Sequence, residues 1–404
     1  MAETAEHVWV GIDVGKRSHS ACAVDSTGKV RWSKAIRNDQ QELEELVDHA
    51  TTTARNITWA IDVTSPIASL LITVLTLAGQ RLLYVPGRVV HSMTHAFPGE
   101  GKTDAKDARV IAQTARLRGD LTLVELPDEL IIDLQQLTGY RSELVRDRVR
   151  AMNRLRAMLN TVFPALESRL DYFGTTALLM VSALCTPSEI RLAGAEGICK
   201  LLDKHHVRRD RMSKVATIAI DAAARQTCSV PGEAGTANLI KRTASRVIAL
   251  DDELRELDKV IARRFREHRW AHILESIPGM GPGLGADFLV ATRGTLATFA
   301  TAGHLASYAG LVPVPRDSGR ITGNMHRPKR YSRPLRRVFY LTALSSIRVQ
   351  GPSRVYYERK RAEKRAHTQA LLAVARKHVD VIWALIRDDR EFTLTPPGTA
   401  VLAA

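Results

Sequence analysis

Residues 7–36 read HVWVGIDVGKRSHSACAVDSTGKVRWSKAI, and this stretch decides the fold. HVWVGID, residues 7–13, is an apolar run that closes on an acid, so it reads as a strand ending at Asp13. Residues 19–24 read as a second strand, Asp25-Ser26-Thr27-Gly28 as a turn, and residues 29–36 as a third strand. Hairpin-linked antiparallel strands follow from that pattern. Working outward, residues 40–55 predict a helix with Leu43, Leu46 and Val47 on one side. Residues 57–63 predict a strand. Residues 66–79 predict a helix with Pro66 near its start and Gly79 at its end. A short strand over 81–85 and a helix over 105–117 complete the set.

The element order is three strands, helix, strand, helix, strand, helix. That is the order of an RNase H-like α/β domain, a fold-level analogy resting on element order. Beyond residue 125 the pattern becomes helical. Residues 129–163 carry Leu130, Leu134, Leu137, Leu144, Leu155 and Leu159 at helical spacing, with six arginines between 141 and 156. Residues 165–225 read as irregular helix broken at Pro187, and Gly232 to Gly235 as a loop. Residues 243–268 predict a second long helix with Leu250, Leu254, Leu257 and Ile261 near heptad spacing. The two long helices suit a buried pair or a dimerisation arm equally. The expected domains are 1–125, an RNase H-like catalytic domain; 126–270, a helical coiled-coil region; and 271–404, a mostly α C-terminal domain.

The 404 residues carry 58 Lys and Arg against 43 Asp and Glu, a net charge of +15. That sign favours a polyanionic partner, because each phosphate contact releases counterions. Hydrophobic residues make up 45%, enough for real cores. Cys22, Cys185, Cys199 and Cys228 show no CxxC spacing, so neither a zinc site nor a disulfide framework is indicated. They suit a reducing cytoplasm. The N-terminus lacks the basic region and cleavage site of a signal peptide, and the apolar run 67–79 is too short to span a bilayer. No membrane partner is expected.

Four acids stand where chemistry can gather. Asp13 and Asp62 lie at or near strand ends, and Asp104 and Asp107 lie three apart at a helix start, on one face. Converging carboxylates need a cation between them, and such hard oxygen donors suit Mg²⁺ or Mn²⁺. Two of them also have a plainer reading: Asp104 as a cap, and Asp107 as half of a surface ion pair.

Residues 274–291, LESIPGMGPGLGADFLVA, have a helix-hairpin-helix pattern. Gly279 and Gly281 would let the backbone turn tightly and bring N–H groups to a phosphate; a simple helix–helix turn is the alternative. Residues 314–337, VPRDSGRITGNMHRPKRYSRPLRR, hold eight Arg and Lys and one acid. Arg320, Arg327, Lys329, Arg330 and Arg333 are the expected nucleic-acid contacts there. A Ser318 hydroxyl among guanidiniums could attack a phosphodiester. From spacing alone, Ser318-Gly319 reads first as a turn.

GIDVGK (11–16), Asp62 followed by Thr64 and Pro66, and GKTDAKDARVIA (101–112) resemble the DEDD transposases of the IS-110 insertion-sequence family. IPGMGPGLGADFLVA (277–291), HLASYAGLVP (304–313) and Asp317-Ser318-Gly319 with its basic tail resemble that family's C-terminal domain. The resemblance spans both ends of the chain and implies a RuvC-like metal domain followed by a serine transposase domain. It implies that Asp13, Asp104 and Asp107 match three of four metal-binding acids. The second acid of the family is usually Glu; this chain has Asp62, one methylene shorter, with Glu100 nearby in a loop. Ser318 matches a serine that forms a covalent phosphoserine with DNA. The resemblance further implies a structured bridge RNA that pairs with target and donor DNA, and a homo-oligomer, dimer or tetramer. Location would be the bacterial cytoplasm, at the nucleoid when DNA is bound. The competing functions are a metal-dependent junction nuclease with Ser318 structural, and an inactive nucleic-acid-binding remnant.

Overall fold

β1 (Ala5–Asp13) forms because Val8, Val10 and Ile12 alternate onto one face, all buried, while Trp9 and Gly11 face the other way. In the computed structural model, residues 5–63, 66–94, 103–124, 128–172, 174–320 and 322–394 are described. β1 pairs antiparallel with β2 (Ser18–Asp25), and β2 with β3 (Val30–Arg37). The β2–β3 turn is tied by Asp25, whose Oδ1 accepts from Thr27 N at 3.0 Å, Thr27 Oγ1 at 2.6 Å and Lys29 N at 3.0 Å. These bonds hold its carboxyl below the usual range, Thr27's hydroxyl foremost.

α1 (Gln40–Thr53) follows, capped by Asp39 accepting from Glu42 N. β4 (Ala54–Ile61) runs parallel to β1. A short 3₁₀ turn (Pro66–Ala68) leads to α2 (Ser69–Leu77), and β5 (Arg81–Tyr84) runs parallel to β4. α3 (Gly87–Thr94), α4 (Asp104–Leu117) and β6 (Thr122–Leu123), antiparallel to β5, complete this part. The sheet order is β3-β2-β1-β4-β5-β6. One face packs Val8, Val10 and Ile12 with Leu43 and Leu46 of α1 and Leu71 and Leu75 of α2. The other packs Ala60 and Leu83 with Val90 of α3 and Val110 and Ile111 of α4.

Three departures from the sequence reading have local causes. β4 starts at Ala54 because its pairing with Ala5 draws residues 54–55 out of the preceding helix, and it ends at Ile61, leaving Asp62 just beyond. α3 is only eight residues long and buries Val90 alone, and both residues of β6 are exposed, so neither element is long enough to stand out in the sequence.

The chain divides into two compact units, Met1–Pro127 and Asp128–Ala404. The second is mostly helical. α5 (Glu129–Val162) and α10 (Glu233–Phe265) form a long antiparallel pair, shown by Arg141 bonding Asp258 and Arg148 bonding Asp251. Between them come α6 (Pro164–Glu167), α7 (Thr175–Val181), α8 (Pro187–Asp203) and α9 (Arg209–Arg225). Pro187 opens α8 at its first turn rather than breaking a helix, behind a Thr186–Glu189 capping box. α10 starts ten residues before the expected Thr243, because Ala237 and Ile240 are buried and Gly235 is tolerated inside it. Alanine is a weak apolar signal, which hid that turn.

At one end of the pair, Leu155, Leu159, Ile240 and Val247 join the core of α6–α9. At the other, Ile131, Leu134, Ile261 and Phe265 join a core built by the C-terminal helices. These are α11 (Ala271–Ser276), α12 (Pro282–Thr292), α13 (Ala302–Tyr308), α14 (Arg333–Ser346), α15 (Pro352–Ala362) and α16 (His367–Arg387). A small antiparallel hairpin, β7 (Val314–Pro315) with β8 (Met325–His326), interrupts them. No helix among the described residues is long and apolar enough to cross a membrane.

Candidate functional site

Parallel pairing sets Ile12 beside Ile61, so Asp13 and Asp62 are the next residues of two neighbouring strands. α4 brings the third acid. It lies directly on β1 at Gly11, where a Cβ would stand 2.2 Å from Ala108 O and 2.3 Å from Ala112 N. Only a residue without a side chain permits that approach. Asp107 precedes Ala108, so this contact carries it to the C-terminal end of β1. Thr103 caps α4, accepting from Lys106 N at 3.2 Å, and the helix N-terminus favours both Asp104 and Asp107.

Asp62 is half-buried, and its Oδ1 is buried without a hydrogen-bond partner. Burial pushes its carboxyl above the usual carboxylate range, its own backbone amide opposes this, and the Asp107 charge adds to the rise. Asp107 is partly exposed and makes no ion pair among the described residues; Asp104 is exposed. Among the described residues, no group of three or more His, Cys, Asp and Glu is close enough to hold one metal ion. Asp13, Asp62 and Asp107 therefore share an end of the sheet without forming a closed cage. Thr64, Glu100, Gly101 and Lys102 lie outside the described residues.

In the second unit, Ser318 is exposed in the connection between β7 and β8. Arg316 N donates to Asn324 O at 2.8 Å, and Asn324 N donates to Asp317 Oδ1 at 3.0 Å. Asn324 Nδ2 also donates to Arg316 O at 3.3 Å. The Ser318 hydroxyl makes no hydrogen bond among the described residues. Arg320, Arg327, Lys329, Arg330 and Arg333 are all exposed. Arg327 donates to the Tyr331 hydroxyl at 3.2 Å and holds that phenol below its ordinary range. Arg336 lies 4.9 Å over the same ring. Ser332, also in this basic stretch, caps α14 by accepting from Leu335 N at 3.3 Å.

The glycine turn joins α11 to α12. Gly279 has φ +88°, and a Cβ there would stand 2.6 Å from Thr342 O and 2.8 Å from Ser346 N of α14. Its glycine requirement is thus explained by helix packing. Gly281 is exposed at the N-cap of α12. It borders a cavity of about 460 Å³ with Arg141, Asp258, Asp287 and Arg337. Asp287 bonds Arg337 at 2.9 Å, yet burial holds its carboxyl above the ordinary range. Sequence reading passed over Asp287, because one acid within an apolar helix has no motif around it. It also passed over the cationic α15, where Arg359 and Lys360 lie 4.8 and 5.6 Å over the Tyr356 ring.

Residues 10–164 match the model for DEDD transposases of the IS110 type, described as a transposase. Residues 271–358 match the model described as transposase, IS116/IS110/IS902 family. The chain is 45% identical over 400 residues to an uncharacterized 44.8 kDa protein of insertion element IS116 from Streptomyces clavuligerus, covering 99% of both. It is 45% identical over 403 residues to an uncharacterized 42 kDa protein of insertion element IS900 from Mycobacterium paratuberculosis, covering 99% of this chain and 100% of that one. It is 34% identical over 403 residues to an uncharacterized 43.6 kDa protein of insertion element IS110 from Streptomyces coelicolor, covering 98% of each.

Proposed function

The chain belongs to the IS116/IS110/IS902 family of transposases, and from that premise we propose that it recombines DNA with a metal-binding acidic end and a serine nucleophile. The observation that carries the acidic half is Asp62: a buried, unpartnered carboxylate oxygen beside Asp13 on the next strand and under the charge of Asp107. A hard oxygen donor in that state fits Mg²⁺ or Mn²⁺. Asp13, Asp62 and Asp107, which form no closed cage on their own, would draw together to hold the ion, with Asp104 on the same helical turn as a fourth donor. When bound, such an ion polarises phosphoryl oxygens and steadies a leaving alkoxide. The sheet order and mixed strand directions support the RNase H-like reading of this unit.

Ser318 is the proposed nucleophile. Its hydroxyl oxygen attacks the phosphorus, the bond from phosphorus to the 3′ oxygen breaks, and the proton leaves with the new 3′-OH. A different 3′-OH then attacks the phosphoserine, and the serine hydroxyl is restored. Arg316 and Arg320 flank the hairpin position and would balance the charge that develops on phosphorus. Arg327, Lys329, Arg330 and Arg333 would hold the DNA backbone. A structured bridge RNA choosing donor and target DNA, and assembly as a homo-oligomer, complete this reading.

The experiment is cleavage of the element's junction DNA with and without Mg²⁺ or Mn²⁺. Wild type should cut only with the ion, and Asp13→Ala and Asp107→Ala should lose cutting. Asp62→Glu should keep part of it, most in Mn²⁺. Full cutting by both alanine variants would remove the acids from the reaction.

A further inference from the structure

α5 and α10 face each other with opposite charges along much of their length. Arg141 bonds Asp258 at 2.5 and 3.3 Å, and Arg148 bonds Asp251, with its Nη2 at 3.1 Å from Oδ2. Arg264 of α10 bonds Asp133 of α5 in the reverse sense. The step from Arg141 to Arg148 on α5 is matched by the step from Asp258 back to Asp251 on α10, so the register is regular. Continuing it sets residue 154 opposite residue 245, one position from Arg246.

There the pattern breaks. Arg150 and Arg154 of α5 and Arg242 and Arg246 of α10 line one cleft of about 360 Å³, with Asp147 as its acid. Asp147 bonds Arg150 on its own helix. The side chains of Arg154, Arg242 and Arg246 make no ion pair or hydrogen bond among the described residues, and all four arginines are exposed. Four arginines against one carboxylate leave the cleft with an excess of positive charge, where the same register elsewhere is satisfied by carboxylates. The arrangement makes sense when an anion from outside lies between them.

We propose that this cleft is a separate nucleic-acid site, holding a phosphodiester backbone between Arg150 and Arg154 on one side and Arg242 and Arg246 on the other. Arginines four apart are about 6 Å apart along a helix axis. Two nucleotide steps rise roughly 7 Å along one strand. A guanidinium grips phosphate with a planar fork, which a lysine cannot do. The cleft offers no aromatic anchor for a protein partner. This inference rests on reading the chain as a nucleic-acid enzyme, but it shares no residue with the acids or the Ser318 hairpin.

The test uses the full-length protein, a labelled duplex DNA and a labelled RNA hairpin, each titrated at several salt concentrations by fluorescence anisotropy. The fourfold Arg→Gln variant at 150, 154, 242 and 246 should lower the salt slope for the occupying nucleic acid by about three to four units. A lower slope for DNA alone, or for RNA alone, names the occupant. Arg154→Glu should both weaken binding and raise the melting temperature in low salt, because it sets a carboxylate among the arginines of α10 that line the same cleft. A merely structural role would lower that temperature instead and would overturn the proposal. Slopes unchanged for both ligands, while Arg327→Ala with Lys329→Ala still lowers them, would overturn the cleft alone. Salt-independent binding by the wild type would overturn the nucleic-acid reading with it.

Discussion

Asp62 and Ser318 live in opposite surroundings. Asp62 is half-buried at a sheet end, placed by the β1–β4 register and by a helix that touches the backbone of β1. Ser318 is exposed on a hairpin whose strands are two residues each, tied by the Arg316, Asp317 and Asn324 bonds. The acids are positioned by a core, so their geometry is inherited from folding. The serine is positioned by a few surface bonds, so as the proposed nucleophile it would take its productive geometry from what it binds. A metal site gains from rigidity set in advance. A nucleophile that must take hold of a strand and release it gains from a support with small local stability.

The contrast can be broken most severely at Gly11. Gly11→Ala sets a Cβ against the Ala108 carbonyl, which a helix backbone cannot move aside. We expect a loss of about 2–4 kcal/mol in urea unfolding, of the size seen when packed elements are forced apart. Metal-dependent cutting should fall with it. A variant as stable as wild type would mean that α4 is not fixed on β1 and that Asp107 is not held by packing.

Asp62 sharpens the comparison with a smaller effect of opposite sign. Its carboxyl is raised, so the folded state keeps a proton at a pH where the unfolded chain has lost it. Stability from this group is therefore present at low pH and is lost as pH rises through the carboxylate range. Asp62→Asn should remove that loss and stabilise the metal-free protein at neutral pH by about 1 kcal/mol, a figure kept small because the group is only half-buried. Mn²⁺ should raise the melting temperature of wild type and leave Asp62→Asn unmoved. Equal metal-induced shifts in both proteins would put the ion elsewhere.

Much of this was legible in residues 7–36, because apolar alternation, an Asx turn and a strand-end acid each leave a local signature. Asp13, Asp104 and Asp107 came out with their elements. Asp62 was harder: its strand ends one residue before it, and only β1 pairing sets that end. Gly279 illustrates another limit. A glycine beside a helix start reads as a phosphate turn, yet its φ of +88° and its contact with α14 depend on residues 63 to 67 positions away. The hairpin around Ser318 was invisible because two-residue strands have no period. The arginine cleft was half visible: the charge on α5 is in the sequence, but what faces it depends on the helix register.

The smallest stability effects belong to the hairpin. Asp317→Ala removes the bond to Asn324 N and should cost the whole protein no more than about 0.5 kcal/mol, the size of an exposed substitution. It should nevertheless impair strand joining, because it loosens the turn carrying Ser318. Full joining activity with a loosened turn would show that the hairpin needs no order of its own.

Trapping the phosphoserine tests the central claim most directly. Wild-type protein, incubated with junction DNA and Mg²⁺ and then denatured, should carry DNA covalently, and peptide mapping should place it on Ser318. Ser318→Ala should fold with unchanged stability, bind DNA with the same salt dependence, and yield no adduct. A normal adduct yield from Ser318→Ala, or metal-dependent cutting by the wild type with no adduct at all, would contradict the account and leave a metal-dependent nuclease in its place.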